Sequence, residues 1–461
     1  MIAPSKSLPE GPLVAWLGDD FTGSAAVMEV LSFAGLLSVL FLDIPTPAQL
    51  EKFGNLRGIG IASTARSHGP DWMELHLPPV FKWLAERRAA ITHYKVCSTL
   101  DSAPDMGSIG KAIDLAAEFR DGWIPCMVAA PAIRRYQAFG HLFAGGAEGV
   151  FRLDRHPVMA RHPVTPMLES DVVRHLSRQT VRRFGLIDLE AISEDADALL
   201  ASERAGGAEI ICLDAVSAKD VERVGRLIWE KRGDGIFAVG SQGIEYALVA
   251  HWRAAGLLPP AAEPVSAGPV ERLIVVSGSV SPVTAAQIDW AEAHGFALIR
   301  LNTDSVVRGD RTAEVAAQDA ALQALSEGRD PLILTARGPD DPAVLVYRNA
   351  VADTGIGEEA ANARIGTALG RILAYLVQTT GLRRAVISGG DTSGHASRQL
   401  DIFAYSALAS TIPGAAMLQA HSDSKVFDGL QLALKGGQMG SPDYFGWIKR
   451  GGGAAPQGDG R

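Results

Sequence analysis

Short runs of residues suited to burial alternate along the chain with longer stretches in which apolar positions recur every three or four residues. LVAWL (13–17), SVLFLD (38–43), RGIGIAST (57–64), THYKVCS (92–98), IPCMVAA (124–130), EIICLDA (209–215) and GIFAVG (235–240) read as strands. SAAVMEVLSFAG (24–35), MGSIGKAIDLAAEF (106–119) and AKDVERVGRLIWEKR (218–232), lying between several of them, have helical spacing. The style repeats further on, with strands at RLIVVSG (272–278), FALIRL (296–301), PLILTA (331–336) and RAVISGG (384–390). Helices are expected at PVTAAQIDWAEAHG (282–295), EEAANARIGTALGRILAYLVQTTG (358–381) and SGHASRQLDIFAYSAL (393–408). This alternation predicts an α/β fold of two domains, each a mainly parallel sheet flanked by helices. Ligands of such sheets sit beyond the carboxyl ends of the strands.

The pattern breaks once, at LLPPAAEPVSAGPVER, where four prolines and small residues separate two periodic regions. The expected organisation is therefore a first domain over 1–256, a linker over 257–271, a second domain over 272–450, and a glycine-rich, loose tail over 451–461. A length of 461 residues suits two cores. The net charge of −9 argues against nucleic acid, whose phosphates need a basic face. The absence of a long apolar run or an apolar leader argues against a membrane span or a signal peptide. The three cysteines form no C-x-x-C pair, and a reducing cytoplasm is the expected location.

Chemistry enters at LVAWLGDDFTG (13–23). Asp19 and Asp20 stand side by side just past the carboxyl end of the first strand, ahead of a helix expected to begin near Ser24. One Asp could cap that helix. Capping does not account for the second carboxylate, and two adjacent acceptors suit vicinal hydroxyls or the removal of a hydroxyl proton. Arg66 follows the third strand, and Lys95 lies inside the fourth, followed by Ser98, Thr99 and Asp101. A carboxylate pair with such cations and hydroxyls suits a polyhydroxy acid, the cations taking its carboxylate. His93, His141 and His162 are scattered, with no metal-binding spacing, and Cys97 has no evident base, so these read as structural groups.

The second half offers glycine-rich turns. VVSGSVSPVTAAQI (275–288) carries Ser277 and Ser279 ahead of a helix, and AVISGGDTSGHASRQL (385–400) carries Gly389, Gly390, Asp391 and Thr392. LKGGQMGSPDYF (434–445) adds Lys435, Gly436 and Gly437. Glycines let a backbone approach a ligand, and the positive end of the following helix suits phosphate. Asp391 could orient a Mg²⁺ carried by those phosphates. The G-x-x-x-x-G-K-[ST] phosphate loop is absent, and GIGEEA (355–360) lacks the strand and acidic residue that a dinucleotide fingerprint requires.

GDDFTGSAAV, K-x-C-S-T (95–99), HPVTPMLESD (162–171), VSGSVSPVTAAQI, SGGDTSGHAS (388–397) and LKGGQMG (434–440), in that order, resemble the four-carbon acid sugar kinase family. Its members include kinases for threonate, erythronate and 3-oxo-tetronate. The resemblance implies an acid-sugar-binding domain, an ATP-binding domain, and catalysis in the cleft between them. It implies substrate roles for Asp19, Asp20, Thr22, Arg66, Lys95, Ser98 and Thr99. It implies nucleotide roles for Ser277, Ser279, Gly389, Gly390, Asp391, Thr392, Gly436 and Gly437. Asp20 is expected to orient or deprotonate the attacking hydroxyl, Asp19 to grip its neighbour, and domain closure about 257–272 to exclude water.

The chain departs from the family's D-S-T-L-R-G segment. It reads CSTLDSAP (97–104), so Cys97 replaces a carboxylate and Asp101 an arginine. Both changes fall in the substrate half, which keeps a branched or oxidised acid such as 3-oxo-isoapionate among the expected substrates. The expected activity is ATP- and Mg²⁺-dependent phosphorylation of a small sugar acid, with a homodimer as the base-rate assembly. A ligand-sensing relative that has lost catalysis, and less readily a nicotinamide-dependent dehydrogenase, are the alternatives.

Overall fold

A computed structural model describes residues 7–146, 148–162 and 164–454, apart from the side chain of Asp391. The chain divides into two units, Met1–Ala262 and Glu263–Arg461, and the division falls inside the proline-rich stretch. No helix among the described residues is long and apolar enough to cross a membrane.

The strands of the first unit are β1 (Val14–Gly18), β2 (Ser38–Phe41), β3 (Gly58–Ala62), β4 (Ile91–Lys95), β5 (Ile124–Met127), β6 (Arg135–Ala138), β7 (His141–Gly146), β8 (Gly149–Arg152), β9 (Phe184–Ile187), β10 (Ile210–Leu213) and β11 (Ile236–Gly240). The order β2-β3-β1-β4-β11-β5-β10-β9 forms a parallel sheet, and β6-β7-β8 form a small antiparallel one. β1, β3, β4 and β11 are buried at every position, as strands covered on both faces must be. The chain leaves β1 toward β2 on one side and leaves β4 toward β5 on the other. The switch point where a parallel sheet receives ligands therefore lies between the carboxyl ends of β1 and β4. Trp16 of β1 donates its indole N–H to the Ser24 carbonyl at 3.1 Å, tying the helix Phe21–Phe33 to the strand that precedes it.

The second unit contains β12 (Ile274–Ser277), β13 (Phe296–Arg300), β14 (Asp330–Leu334), β15 (Arg384–Ser388), β16 (Ile402–Ala409), β17 (Met417–Ser422) and β18 (Gln431–Lys435). The order is β13-β14-β12-β15-β18-β17-β16, parallel up to β18 and antiparallel beyond it. Its switch point lies between β12 and β15 by the same reasoning. Leu273, Val275, Ile288, Phe296, Val386 and Phe445 build its core.

Every strand expected from the sequence is present. The helix expected over 393–408 is not continuous: a helix covers Gly390–Ser397, and β16 replaces its second half. Asp401 takes a left-handed conformation (φ 50°) that no helix continues through, and the following residues pair antiparallel with β17. The first helix begins at Phe21, three residues earlier than expected, because Asp20 is its cap. The segment expected as a linker is packed from Val265 on: the Val265 carbonyl accepts from Ser410 N–H at 3.2 Å, and Ala267 N–H donates to Gly451 at 2.8 Å. Of the tail expected over 451–461, Gly453 N–H is held by the Ser410 carbonyl at 2.8 Å, while residues 455–461 lie outside the described residues.

Candidate functional site

The turn after β1 builds the first cluster. Asp20 is the N-cap of the helix Phe21–Phe33: its Oδ1 accepts the Gly23 N–H at 2.9 Å and its Oδ2 the Thr22 hydroxyl at 2.8 Å. Arg66 reaches across from the loop after β3. Its Nη2 and Nε donate to the two oxygens of Asp19 at 2.8 and 3.2 Å, and Nη2 also lies 2.9 Å from Asp20 Oδ1. One guanidinium thus neutralises two neighbouring carboxylates, which explains how the pair tolerates itself.

The two carboxyls are not equivalent. Asp19 is 2% exposed, and burial, only partly offset by Arg66, raises its pKa. Burial also pushes Asp20 up, but Arg66, then Lys95, then the hydrogen bonds from Thr22 and Gly23 outweigh it, and its pKa is lowered. Asp20 is thus a firmly ionised acceptor. Its Oδ2 takes only the Thr22 hydroxyl, which leaves an acceptor position open.

Lys95, at the end of β4, is 2% exposed and donates from Nζ to the Val96 carbonyl at 2.7 Å. A Cβ on Gly23 would stand 2.3 Å from Asp20 Oδ1 and 2.7 Å from Lys95 Nζ, so a side chain there would displace both. Two residues before Lys95, His93 is fully buried between Glu245 Oε1 (2.7 Å) and the Gly240 carbonyl (3.1 Å). His141 bonds Ser170 Oγ at 3.0 Å, and His162 accepts the Thr165 N–H at 3.1 Å, which gives all three histidines local structural partners.

The altered segment folds on itself. Thr99 Oγ1 donates to Asp101 Oδ1 at 2.7 Å and lies 2.9 Å from Cys97 Sγ. Thr99 is therefore engaged within its own turn, while Ser98 remains half-buried beside it. Burial, with Asp101 nearby, pushes the Cys97 thiol up to about 11, the inert thiol its sequence context suggested. One participant was not legible in the sequence. Arg135 of β6 carries a buried Nε with no hydrogen-bond partner among the described residues. Burial lowers its pKa against the opposing pull of Cys97 and Asp101, so its guanidinium is within electrostatic reach of the changed positions.

The second cluster stands at the carboxyl ends of β12, β15 and β18. Ser277, Ser388 and Lys435 form one row in register across these strands. The hydroxyls of Ser277 and Ser388 are buried and have no hydrogen-bond partner among the described residues, an arrangement that favours a polar ligand or water. Three loops interlock above the row. Gly278 N–H donates to the Ser388 carbonyl at 3.0 Å, and Gly389 N–H to the Lys435 carbonyl at 2.9 Å. The Gly437 carbonyl accepts from Ser281 Oγ and from Thr284 Oγ1 at 3.1 Å.

At two positions these loops leave no space for a side chain. A Cβ on Gly278 would stand 2.3 Å from Thr392 Oγ1, and one on Gly437 would stand 2.5 Å from Ser279 Oγ. Gly389, with φ 125°, precedes the helix Gly390–Ser397, and a Cβ on Gly390 would meet nothing within 4 Å. The structure thus brings Ser277, Ser279, Gly389, Gly390, Thr392, Gly436 and Gly437 to one end of one sheet. Among the described residues no group of three His, Cys, Asp or Glu side chains could hold a metal ion. Asp391 begins the same helix, and its side chain lies outside the described set.

A carboxylate–cation cluster at one switch point and glycine-rich loops at another are the groups that a protein handling a polyhydroxy acid and a phosphate-bearing ligand requires. Residues 14–248 match the model of a sugar-binding N-terminal domain, and residues 274–445 that of a nucleotide-binding C-terminal domain. The chain belongs to the four-carbon acid sugar kinase family. It is 45% identical to the 3-oxo-isoapionate kinase of Paraburkholderia graminis, over 96% of this chain and 95% of that protein. It is 30% identical to the 3-oxo-tetronate kinase of Cupriavidus necator, over 95% of this chain and 97% of that protein. The fold is shared with a solved Salmonella typhimurium LT2 protein at TM-score 0.75 and 23% identity, covering 95% of this chain and 98% of that one.

Proposed function

We propose that this chain transfers the γ-phosphoryl group of ATP to a hydroxyl of a branched 3-oxo sugar acid of the 3-oxo-isoapionate kind. The observation that carries the acceptor is the Asp19–Asp20–Arg66–Lys95 cluster at the β1/β4 switch point, beside a segment rebuilt around Cys97 and Asp101. The relative with the same substrate name is 45% identical, against 30% for a 3-oxo-tetronate kinase, which favours the branched acid.

Asp20 accepts a hydrogen bond from the attacking hydroxyl through the open position on Oδ2 and takes its proton as transfer proceeds. Its ionised state serves orientation more than basicity, in keeping with a loose transition state that asks little of the base. Asp19, held by Arg66, fixes the guanidinium that holds Asp20. Arg135 and Arg66 flank the 97–101 segment and supply cations for the substrate carboxylate where Asp101 has replaced an arginine. The Ser277, Ser279, Gly389–Thr392 and Gly436–Gly437 loops receive the triphosphate through backbone N–H groups and hydroxyls. Mg²⁺ supplies charge neutralisation on the phosphates when bound. Asp391 would be the single carboxylate to hold it beside the phosphates.

Coupled ADP release over 3-oxo-isoapionate, 3-oxo-tetronates, threonate and erythronate tests the reading. The highest kcat/KM is expected on the branched acid. ADP release no greater with any acid than without one would refute kinase activity, and a preference for a linear acid would refute the assigned substrate. Arg135→Met should raise KM for the acid and leave KM for ATP unchanged.

A further inference from the structure

Lys435 is a buried amine with no counter-ion among the described residues. It is 0% exposed, and no carboxylate among the described side chains pairs with it. Its Nζ donates to Thr284 Oγ1 at 3.2 Å and to the Gly436 carbonyl at 3.1 Å. Thr284 in turn lies 3.0 Å from Ser279 Oγ and 3.1 Å from the Gly437 carbonyl. Two N–H donors and two acceptors satisfy a neutral –NH₂ group. The third N–H of an ammonium would have no acceptor among the described residues, and an unmet buried donor is costly.

We propose that Lys435 couples nucleotide binding to proton uptake: neutral in the free chain, it ties the Ser279 and Gly437 loops together, and it becomes an ammonium when a phosphate oxygen in the cradle supplies its third acceptor. This rests on the nucleotide-binding reading of the second unit and adds a charge change to it. In the free chain burial lowers the Lys435 pKa to about 7, consistent with an amine largely neutral in mildly alkaline solution. The step balances simply, since the amine lone pair takes one proton from solvent.

The ionisable groups described on the surrounding elements have other partners. On the helix Pro282–Ala293, Asp289 and Glu292 pair with Arg337 at 2.6 and 2.7 Å. Asp443, after the Gly436–Gly437 loop, pairs with Arg450 at 3.2 Å. On β15, Arg384 donates to Gln431 at 2.8 Å, and on β17, His421 lies 2.9 Å from Ser406 Oγ. On the helix Gly390–Ser397, His395 abuts Gly366, and the Asp391 side chain lies outside the described residues.

The test is calorimetric titration of the whole chain with the Mg²⁺ complex of AMP-PNP, at pH 8 and pH 6, in two buffers of different ionisation enthalpy. A pKa of about 7 leaves about nine-tenths of the amine neutral at pH 8 and about one-tenth at pH 6. Uptake of about 0.9 proton is expected at pH 8 and about 0.1 at pH 6, and affinity should fall severalfold from pH 7 to pH 8. Lys435→Met should abolish the difference between buffers at pH 8. Binding at pH 8 with no buffer-dependent heat overturns the proposal, as does uptake that persists in the Met variant. If that variant does not fold, the wild-type buffer pair still decides. Absence of AMP-PNP binding by the wild type at either pH overturns the nucleotide reading itself, and this inference with it.

Discussion

Asp20 has two separable jobs, and one substitution divides them. As a helix cap it accepts the Gly23 N–H at 2.9 Å; as an ionised acceptor it sits 2.9 Å from Arg66 with an open position on Oδ2. Asn caps as well as Asp does, so Asp20→Asn keeps Oδ1 on Gly23 and can turn its amide N–H toward Thr22. Only the charge and the proton acceptor are lost. Asp20→Asn should therefore lose only the ion pair with Arg66, whereas Asp20→Ala, which also removes the cap, should cost about 1 kcal/mol more. For a unit of this size that second cost lowers Tm by about 2–4 °C. Loss of the acceptor that orients the attacking hydroxyl and takes its proton should lower kcat by about 10²-fold, equivalent to about 2.7 kcal/mol of barrier, the low end of what a positioned base contributes. The assay is coupled ADP release at saturating acid, with AMP-PNP affinity measured alongside and expected to be unchanged. The wild-type rate should hold well into the acid range, because the Asp20 pKa is already lowered. An Asp20→Asn enzyme with kcat within tenfold of wild type would refute the base assignment, and one as destabilised as Asp20→Ala would refute the separation of roles.

Gly437→Ala, whose Cβ would stand 2.5 Å from Ser279 Oγ, should weaken AMP-PNP binding by about 1–3 kcal/mol while leaving acid binding intact, as titration of each ligand would show. Gly225→Ala should do the opposite: its Cβ would stand 1.8 Å from the Ala247 carbonyl where two helices cross, so Tm should drop while ligand affinities stay unchanged in the protein that remains folded. Lys435 also predicts a pH signature of stability. Its folded pKa of about 7 lies below its ordinary value of 10.5, so between those limits the unfolded chain binds more protons and this group makes stability rise with pH. Lys435→Met should therefore gain most over wild type near pH 6, where the buried charge costs in full, and the gain should shrink toward pH 10; a Tm difference independent of pH would refute it.

The parallel strands were legible because strands buried on both faces appear as unbroken apolar runs, and the helices between them because their apolar spacing is long enough to register. β6 and β8 were not: RYQA and GVFR are short, mixed in polarity and only partly buried. β16 was hidden because IFAYSAL spaces its apolar residues as a helix does, and what ends the helix is the backbone of Asp401, which no side-chain pattern announces. The clustering of Asp19, Asp20 and Thr22 was readable because it is local to one turn. Arg135 and the isolation of Lys435 were not, because each depends on which groups the fold brings near it.

The two units solve the same topological problem with different materials. Each presents ligand groups at a switch point, but the first does so with charged side chains and the second with glycines, hydroxyls and one amine. The difference follows from what is recognised. A triphosphate is the same polyanion in every turnover, and backbone N–H groups fixed by interlocked loops suit it; any side chain at Gly278 or Gly437 would collide with the loops themselves. A sugar acid differs from its relatives by the place of one hydroxyl or one carbonyl, and only side chains can follow such a change. Cys97 and Asp101 lie in the first unit, where Thr99 and Asp101 bond each other and leave the Asp20–Arg66 geometry in place. On the roles proposed above, specificity can drift there without disturbing either the proton acceptor or the nucleotide cradle, and that is the pattern expected of a kinase retuned to a new acid rather than one that has lost its chemistry.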